Sequence, residues 1–260
     1  MRSKISYKLS RQVICLLLLL SLPLFSWSSD YGALYKKANE QYKKAQYQDA
    51  AKSYSQILDG GYQAEAVYFN LGNAYFKLGD IPSALLYYEK AHKLAPGDDD
   101  VNFNIYFANS KTADKVEPEP EFFVTQWWHS IMLSFSISTL SVLTILCFII
   151  GSGLLVLYLF AHIISVKKLS FYIGIILLFS GLAFIFIANR QEHYFNDHHQ
   201  AIIFSGSVNV RSGPGDQAAA LFILHDGTKV NILDNNNGWI KVQLANGNEG
   251  WIQQSDVKEI

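Results

Sequence analysis

Side chains that commonly bind metal ions are concentrated in one short stretch near position 195. Five of them carry an imidazole or a carboxylate group, and these are Glu192, His193, Asp197, His198 and His199. Imidazole nitrogen and carboxylate oxygen are ligands for zinc, and histidine also changes its charge near neutral pH. The stretch follows a long apolar run, however, and ligand-type residues at a membrane surface are more often solvated than metal-bound. We therefore expect no metal and no other cofactor, with a response of His198 and His199 to mild acid as the alternative.

Catalytic chemistry has no recognisable motif in this sequence. It contains no nucleophile elbow, no glycine-rich phosphate loop and no His-Glu-x-x-His pattern. Cys15 and Cys147 both lie inside apolar runs, so the soluble parts contain no thiol for a nucleophile or a disulfide. The net charge of -1 gives no basic excess for nucleic acid. The sequence predicts a protein that is not an enzyme and does not bind nucleic acid.

The N-terminus has the layout of a secretory signal. Four basic residues precede the apolar run 13–20, and small residues follow it at Ser26 and Ser28. The basic residues are Arg2, Lys4, Lys8 and Arg11. We predict a cleaved signal peptide over residues 1–28. The alternative is an uncleaved anchor helix, because apolar residues continue beyond position 20.

Two apolar runs predict a pair of membrane-spanning helices. Residues 122–166 contain no Asp, Glu, Lys or Arg, and a second apolar run continues to position 188. Each run holds about the 20 residues needed to cross the hydrocarbon core. We place the spans at 139–160 and 169–188, within a hairpin that covers residues 131–190.

The flanking residues of the hairpin predict its orientation. The short loop 162–168 contains Lys167 and Lys168, and positive charge in a tight loop favours the cytoplasm. A hairpin leaves the chain before it and after it on one side, so both soluble parts are predicted to face the periplasm from the bacterial inner membrane. A proline-containing linker, 111–121, precedes the hairpin. Aromatic residues expected at the headgroup level follow the linker, and these are Phe122, Phe123, Trp127 and Trp128.

A helix-turn-helix pattern of about 34 residues ends at Pro96. Seven further positions fit its spacing: Tyr68, Leu71, Gly72, Tyr75, Ala84, Tyr88 and Ala91. The pattern resembles the tetratricopeptide repeat family, in which small residues such as Gly72 and Ala84 let two antiparallel helices approach closely. A degenerate repeat precedes it, with equivalent residues at Leu34, Ala38, Ala50, Tyr54 and Ile57. We predict a repeat domain over residues 31–110, closed by a final helix with Val101, Ile105, Tyr106 and Ala108.

The resemblance to tetratricopeptide proteins implies a concave groove that receives peptides. The first helix of each repeat lines that groove, which places Tyr35, Asn39, Phe69, Asn70, Asn73, Phe76 and Lys77 on it. Asn39 and Asn70 align with family positions that hydrogen-bond a peptide backbone. The alternative is that these asparagines are only solvated. The lysines of the carboxylate-clamp subgroup are replaced by Tyr35, Asp100 and Asn104, so recognition of a C-terminal carboxylate is not expected.

Residues 200–260 alternate short β-rich runs with turn signals such as Asp226-Gly227 and Asn246-Gly247, which predicts a compact antiparallel barrel. The segment 209–214 and two Gly-Trp pairs resemble the bacterial SH3 family. Members of that family bind peptides or cell-wall material. The resemblance implies a recognition surface at Trp239 and Trp251, which offer aromatic faces for stacking. The alternative is that both tryptophans only pack within the barrel.

The order of these parts resembles BatE proteins of the bacterial aerotolerance operons. The predicted fold class is a multidomain membrane protein with all-α tetratricopeptide repeats, a transmembrane helical hairpin and a small all-β SH3-like barrel. The resemblance implies a scaffold for membrane and periplasmic proteins, including von Willebrand A-domain proteins and a MoxR-type ATPase. Peptidoglycan is a further candidate partner. Two other functions stay open: a cell-wall-binding sensor and an accessory subunit of a membrane enzyme.

Overall fold

The computed structural model describes residues 31–260, so the predicted signal segment lies outside the described residues. Helices come first within this range, namely α1 (Tyr31–Lys43), α2 (Tyr47–Asp59), α3 (Glu65–Leu78), α4 (Ile81–Leu94), α5 (Asp99–Asn109), α6 (Phe123–Met132), α7 (Ile137–Phe160) and α8 (Ile164–Asp197). Strands follow, namely β1 (Gln200–Ile203), β2 (Ser207–Arg211), β3 (Ala220–His225), β4 (Lys229–Asn236), β5 (Trp239–Gln243), β6 (Glu249–Gln253) and β7 (Val257–Glu259). Helical repeats, two long apolar helices and an antiparallel sheet confirm the predicted fold class.

The contact between α3 and α4 requires a glycine at position 72. A Cβ atom there would lie 2.6 Å from the ring of Tyr88 and 3.2 Å from the carbonyl oxygen of Ala84. The connection between the helices is equally specific, because Gly79 has a φ of 81° and Asp80 caps α4 by accepting a hydrogen bond from the Ser83 amide. The two helices therefore meet as the repeat pattern predicts.

Helix α5 closes the repeat stack with one face. Val101 and Ala108 are fully buried on that face, two helical turns apart. Tyr106 is 73% exposed, so the expectation that it helps to close the stack is wrong. The reason is helical geometry, because the five-residue step from Val101 to Tyr106 turns the tyrosine side chain well away from the buried face.

Helices α7 and α8 form a hairpin with a very short connection between them. They approach most closely at Gly151 and Gly174, where a Cβ atom on either residue would lie 3.1 Å from the carbonyl oxygen of the other. In each helix only 11% of the most apolar window is buried by protein. A core helix of a soluble protein would be mostly buried, so this exposure is compatible with a two-span membrane protein. Lys167 and Lys168 belong to the first turns of α8 and not to the loop.

Helix α6 lies beside the hairpin as a separate short element. Its inner face contacts α8, since the Trp128 ring lies 6.2 Å from that of Phe186 and the His129 ring lies 5.2 Å from that of Tyr194. Phe123 and Trp127 are mostly exposed on its other side. The predicted hairpin begins at position 131, but residues 131–136 are the end of α6 and a turn, and α7 begins only at Ile137.

The C-terminal strands form one antiparallel sheet in the order β3-β2-β6-β5-β4-β1-β7. Its core is made by alternate residues of these strands: Ala201, Ile203, Val208, Val210, Leu224, Val230, Ile240, Val242, Leu244 and Ile252. Strands β2 and β6 meet closely because Gly250 has no side chain, and a Cβ atom there would clash with Val210. The sheet curls around this core, as expected for a small barrel.

The barrel packs directly on the repeats. Ile202 of β1 is fully buried in a cluster with Leu85 of α4 and Ala108 of α5. The turn at Gly227 comes so close to the repeats that a Cβ atom there would lie 2.7 Å from a methyl carbon of Thr112. Residues 34–260 accordingly form one compact unit.

The linker 111–121 is extended, but it is attached to the barrel along its length. Val116 packs against the barrel core. The backbone amide of Glu119 donates a hydrogen bond to the carbonyl of Ala245 at 2.9 Å. The segment therefore leads from the repeats to α6 along the barrel surface, where we expected a spacer.

Candidate functional site

Hydrogen bonds between side chains join the first helices of the repeats. In the first repeat, the Tyr54 hydroxyl donates to Oδ1 of Asn39 at 2.5 Å. Nδ2 of Asn70, on the first helix of the second repeat, donates to the Tyr35 hydroxyl at 2.9 Å and reaches Oδ1 of Asn39 at 3.4 Å. Burial raises the pKa of Tyr54, so its phenol stays protonated and able to donate.

The same arrangement recurs one repeat length later. The Tyr88 hydroxyl and Nδ2 of Asn104 both donate to Oδ1 of Asn73, each at 2.8 Å. A carbonyl oxygen has two lone pairs, and these bonds use both on Asn73. The asparagines thus brace neighbouring helices. The Nδ2 donors of Asn39 and Asn73 are not used in this bracing, whereas that of Asn70 is. Binding of a peptide backbone by Asn39 and Asn70 stays a prediction.

Aromatic rings continue along the same face. Phe69 is half-buried against Tyr88, with ring centroids 5.9 Å apart. Phe76 contacts Phe107 at 5.4 Å, and Phe107 is stacked on Phe103 at 6.2 Å with an interplanar angle of 4°. Phe103 is 63% exposed and Phe107 is 41% exposed, so the apolar face of this stack is open to solvent.

Phe103 and Phe107 extend the face predicted to form the groove, and neither was predicted to lie on it. From the sequence, α5 was expected only to close the stack. The signal was available, because Phe103 follows Phe69 by one repeat length and Phe107 follows Asn73 by the same step. Lys77 is exposed at the end of the same face. All seven residues predicted for the groove lie on α1 or α3. Helix α5 is the third helix that contributes side chains to the same face.

The two barrel tryptophans lie on one face of the sheet. Trp239 and Trp251 are half-buried, and they alternate with the buried residues Ile240 and Ile252, so both point away from the barrel core. Trp251 pairs across the strands with Lys241 on one side and with Arg211 on the other. Lys241 is paired with the carboxylate of Glu249, whereas no salt bridge within residues 31–260 includes Arg211. The Trp251 face can therefore stack on a ring, and Arg211 beside it can attract an anionic group.

A carboxylate of the linker joins the chain just after the repeats to the barrel. Asp114 accepts three hydrogen bonds, from the backbone amide of His225 at 2.7 Å, from the His225 ring at 2.8 Å and from the Thr228 hydroxyl at 2.8 Å. Burial alone would raise the pKa of Asp114, but the bonds from His225 and Thr228 outweigh it and lower the pKa below its ordinary value. A second link pairs Lys229 with the buried carboxylate of Glu89 at 2.8 Å. Neither link was predicted from the sequence.

The five ligand-type residues after the second apolar run do not converge. All of them are exposed, and Nδ1 of His198 lies 2.7 Å from the backbone carbonyl of Tyr194. Within residues 31–260, no group of three or more His, Cys, Asp or Glu side chains is arranged to hold a metal ion. Their location at the end of α8 places them between the hairpin and β1.

Comparison with known protein families finds one match in the repeats and one in the barrel. Two family models match this chain. The tetratricopeptide repeat model matches residues 66–98, and the bacterial SH3 domain model matches residues 206–258. No curated protein matches the chain. Both matching families are typically non-catalytic interaction modules, so the chain combines two such modules with two apolar helices.

The outward position of the tryptophans predicts how their removal affects stability. Trp239→Ala and Trp251→Ala should each keep the barrel folded, because neither side chain fills the core. Ile252→Ala is the matched control and should cost about 2 to 5 kcal/mol. Thermal melting of the three full-length variants makes the comparison. A loss in Trp251→Ala as large as that in Ile252→Ala would mean that Trp251 is part of the packing.

The bonds to Asp114 predict a stability that depends on pH. The lowered pKa means that the carboxylate stabilises the fold above its unfolded pKa and that this contribution disappears as pH falls through the lower folded pKa, below about 4. Asp114→Asn should lose about 1 to 3 kcal/mol at pH 7 and much less at pH 3. Thermal melting at both pH values tests this, with the exposed Asp216→Asn as control. Equal losses at the two pH values would contradict the assignment.

Proposed function

We propose that this protein is a non-enzymatic scaffold that holds other proteins at a membrane. One observation carries the proposal: the repeats, the barrel and the hairpin pack together, yet the concave face of the repeats is left open. Phe103 and Phe107 expose apolar rings there, although Ile202, Leu85 and Ala108 are buried nearby. Adjacent exposed rings of this kind form a contiguous apolar patch, and such patches mark sites where proteins bind partners.

The position of the modules supports a scaffold close to the membrane surface. A Cβ atom on Gly97, just after α4, would clash with the backbone of Ser134, just before α7. The His92 ring lies 6.2 Å from that of Phe195, near the end of α8. A partner held in the groove would therefore stay next to the bilayer. We place the hairpin in the bacterial inner membrane with both modules in the periplasm.

The partners that we propose follow from the resemblance to BatE proteins. They are the von Willebrand A-domain membrane proteins and the MoxR-type ATPase system of the aerotolerance operons, in a complex linked to envelope or oxidative stress. Membrane-anchored partners suit a groove that stays close to the bilayer. Since the barrel packs on the repeats through Ile202 and is linked to them by the ion pair of Lys229 with Glu89, two partners bound to the two modules would be held at a fixed distance from each other.

A second candidate function is recognition of the cell wall by the barrel. The observation that favours it is the location of Trp251 between Arg211 and Lys241 on the outer face. Sugar rings stack on tryptophan, and peptidoglycan carries carboxylates that Arg211 would attract, since Lys241 is already paired with Glu249. Sedimentation of the full-length protein with purified cell wall, lost in Trp251→Ala, would support this function.

The proposed topology has a direct test. Reporters fused after Ala108 and after Ile260 should behave alike, because the two apolar helices return the chain to the same side of the membrane. A reporter enzyme that is active only in the periplasm should be active at both fusion points. A reporter that is active only in the cytoplasm should be inactive at both. Opposite behaviour of the two fusions would mean that only one helix spans, and the scaffold would then be divided by the membrane.

The scaffold itself is tested by crosslinking in cells. A photo-reactive residue at position 103 should capture membrane proteins, because that side chain is exposed in the groove. The matched control is position 52, which is exposed on α2 outside the groove. Mass spectrometry identifies the captured proteins. Identical products from both positions, or none from position 103, would remove the groove as the site of partner binding.

A further inference from the structure

One lysine recurs at the same position of each repeat. Lys43, Lys77 and Lys111 follow one another at intervals of one repeat length. Lys43 ends α1, Lys77 lies in the last turn of α3, and Lys111 comes just after the end of α5. All three are exposed. We call these three residues the lysine row.

The lysine row follows the open groove. The asparagine bonds join α1 to α3 and α3 to α5, so the ends of these helices lie side by side. Aromatic residues recur with the same period, and these are Tyr35, Phe69 and Phe103. The ammonium of Lys111 lies 5.1 Å from the centre of the Phe107 ring, which connects the charged row to the aromatic stack.

The lysine row forms no salt bridge within the described residues. Salt bridges in residues 31–260 involve Lys229 and Lys241 and two histidines, but no member of the row. A lysine at a helix C-terminus also stabilises the helix dipole. That effect is independent of a ligand, so it would change the stability of the protein but not its choice of partner.

We propose that the groove binds an extended acidic segment of a partner protein, with carboxylates at every third residue. Packed helices lie about 8 to 10 Å apart, and an extended chain in the polyproline II conformation advances about 3.1 Å per residue with three residues per turn. Three residues therefore carry the chain from one lysine to the next, and every third side chain returns to the same face of the segment. Apolar side chains between the carboxylates would contact Phe103 and Phe107. This inference rests on the proposed function, because it names the chemistry of the partner that the groove receives.

The binding mode uses internal carboxylates instead of a chain terminus. Asp100 lies near the start of α5, at the opposite end of that helix from Lys111, and it is exposed. A negative charge there disfavours acidic ligands at that end. The groove is therefore negatively charged at one end of α5 and positively charged at the other. The acidic segment is thereby directed to the helix ends that carry lysine.

The test uses full-length protein in lipid nanodiscs and short synthetic peptides. The first peptide has three glutamates, one at every third position, and leucine or phenylalanine between them. The second has glutamine in place of glutamate, and the third has the same composition as the first with its glutamates adjacent. Fluorescence anisotropy measures binding at low and moderate salt. The first peptide should bind most tightly, and added salt should weaken it most.

Protein variants distinguish the effect of the lysine row on peptide binding from the effect of the overall charge of the protein. Each of Lys43→Gln, Lys77→Gln and Lys111→Gln should weaken binding of the first peptide by roughly two- to fivefold, the effect of one exposed ion pair. Lys52→Gln on α2 removes the same charge outside the groove and should leave binding unchanged. Thermal melting checks that the variants stay folded, and Lys→Arg at the three positions should restore most of the affinity.

The possible outcomes decide between this inference and others. Equal binding of the glutamate and glutamine peptides, or unchanged binding by the triple lysine variant, would overturn it. Self-association of the protein that disappears in the triple variant would make a second copy the occupant and also overturn it. If position 103 crosslinks the same partners in the triple variant, the scaffold stands and the lysine row does not select its partner. Lysine-dependent peptide binding without any crosslinked partner would leave the inference standing and remove the scaffold.

Discussion

Burial of Ile202 against the repeats is the contact on which the arrangement depends. Two helical repeats have too little core to be stable alone, and their last helices would leave an apolar face open to water. Strand β1 covers part of that face, where Ile202 meets Leu85 and Ala108. The barrel thus acts as the missing end of the repeat stack. Losing this contact would expose apolar surface on both modules at once.

The covered face determines which face remains open. Since the barrel occupies the side formed by α4 and α5, the concave side of the stack keeps its access to solvent. The asparagine bonds hold that side in shape without a ligand, because the helices are joined through Asn39, Asn70 and Asn73. The open face is therefore ordered without a ligand, and a partner of the proposed kind would require little further ordering.

Local patterns in the sequence predicted the elements but not their contacts. The repeat period located the close approach at Gly72, and alternation with turn residues located the barrel strands. Asp114 and His225, in contrast, are 111 residues apart, and no periodicity relates a linker carboxylate to a barrel histidine. The docking of the barrel was missed for the same reason. Tyr106 was wrongly predicted to be buried, because it was grouped with the apolar residues of α5 without regard to its angular position around the helix axis.

Helix α8 connects the apolar hairpin to the barrel without interruption. Its last turns, 189–197, extend beyond the predicted span by about 13 Å at the rise of an α-helix, and its end lies almost directly before β1. A helix transmits rotation and tilt along its axis far better than a flexible linker. If α8 crosses the bilayer as proposed, a change in bilayer thickness that tilted this helix would also turn the barrel, and the repeats would turn with it because they share the core around Ile202. The direction in which the open face of the repeats points would then depend on the thickness of the lipid bilayer.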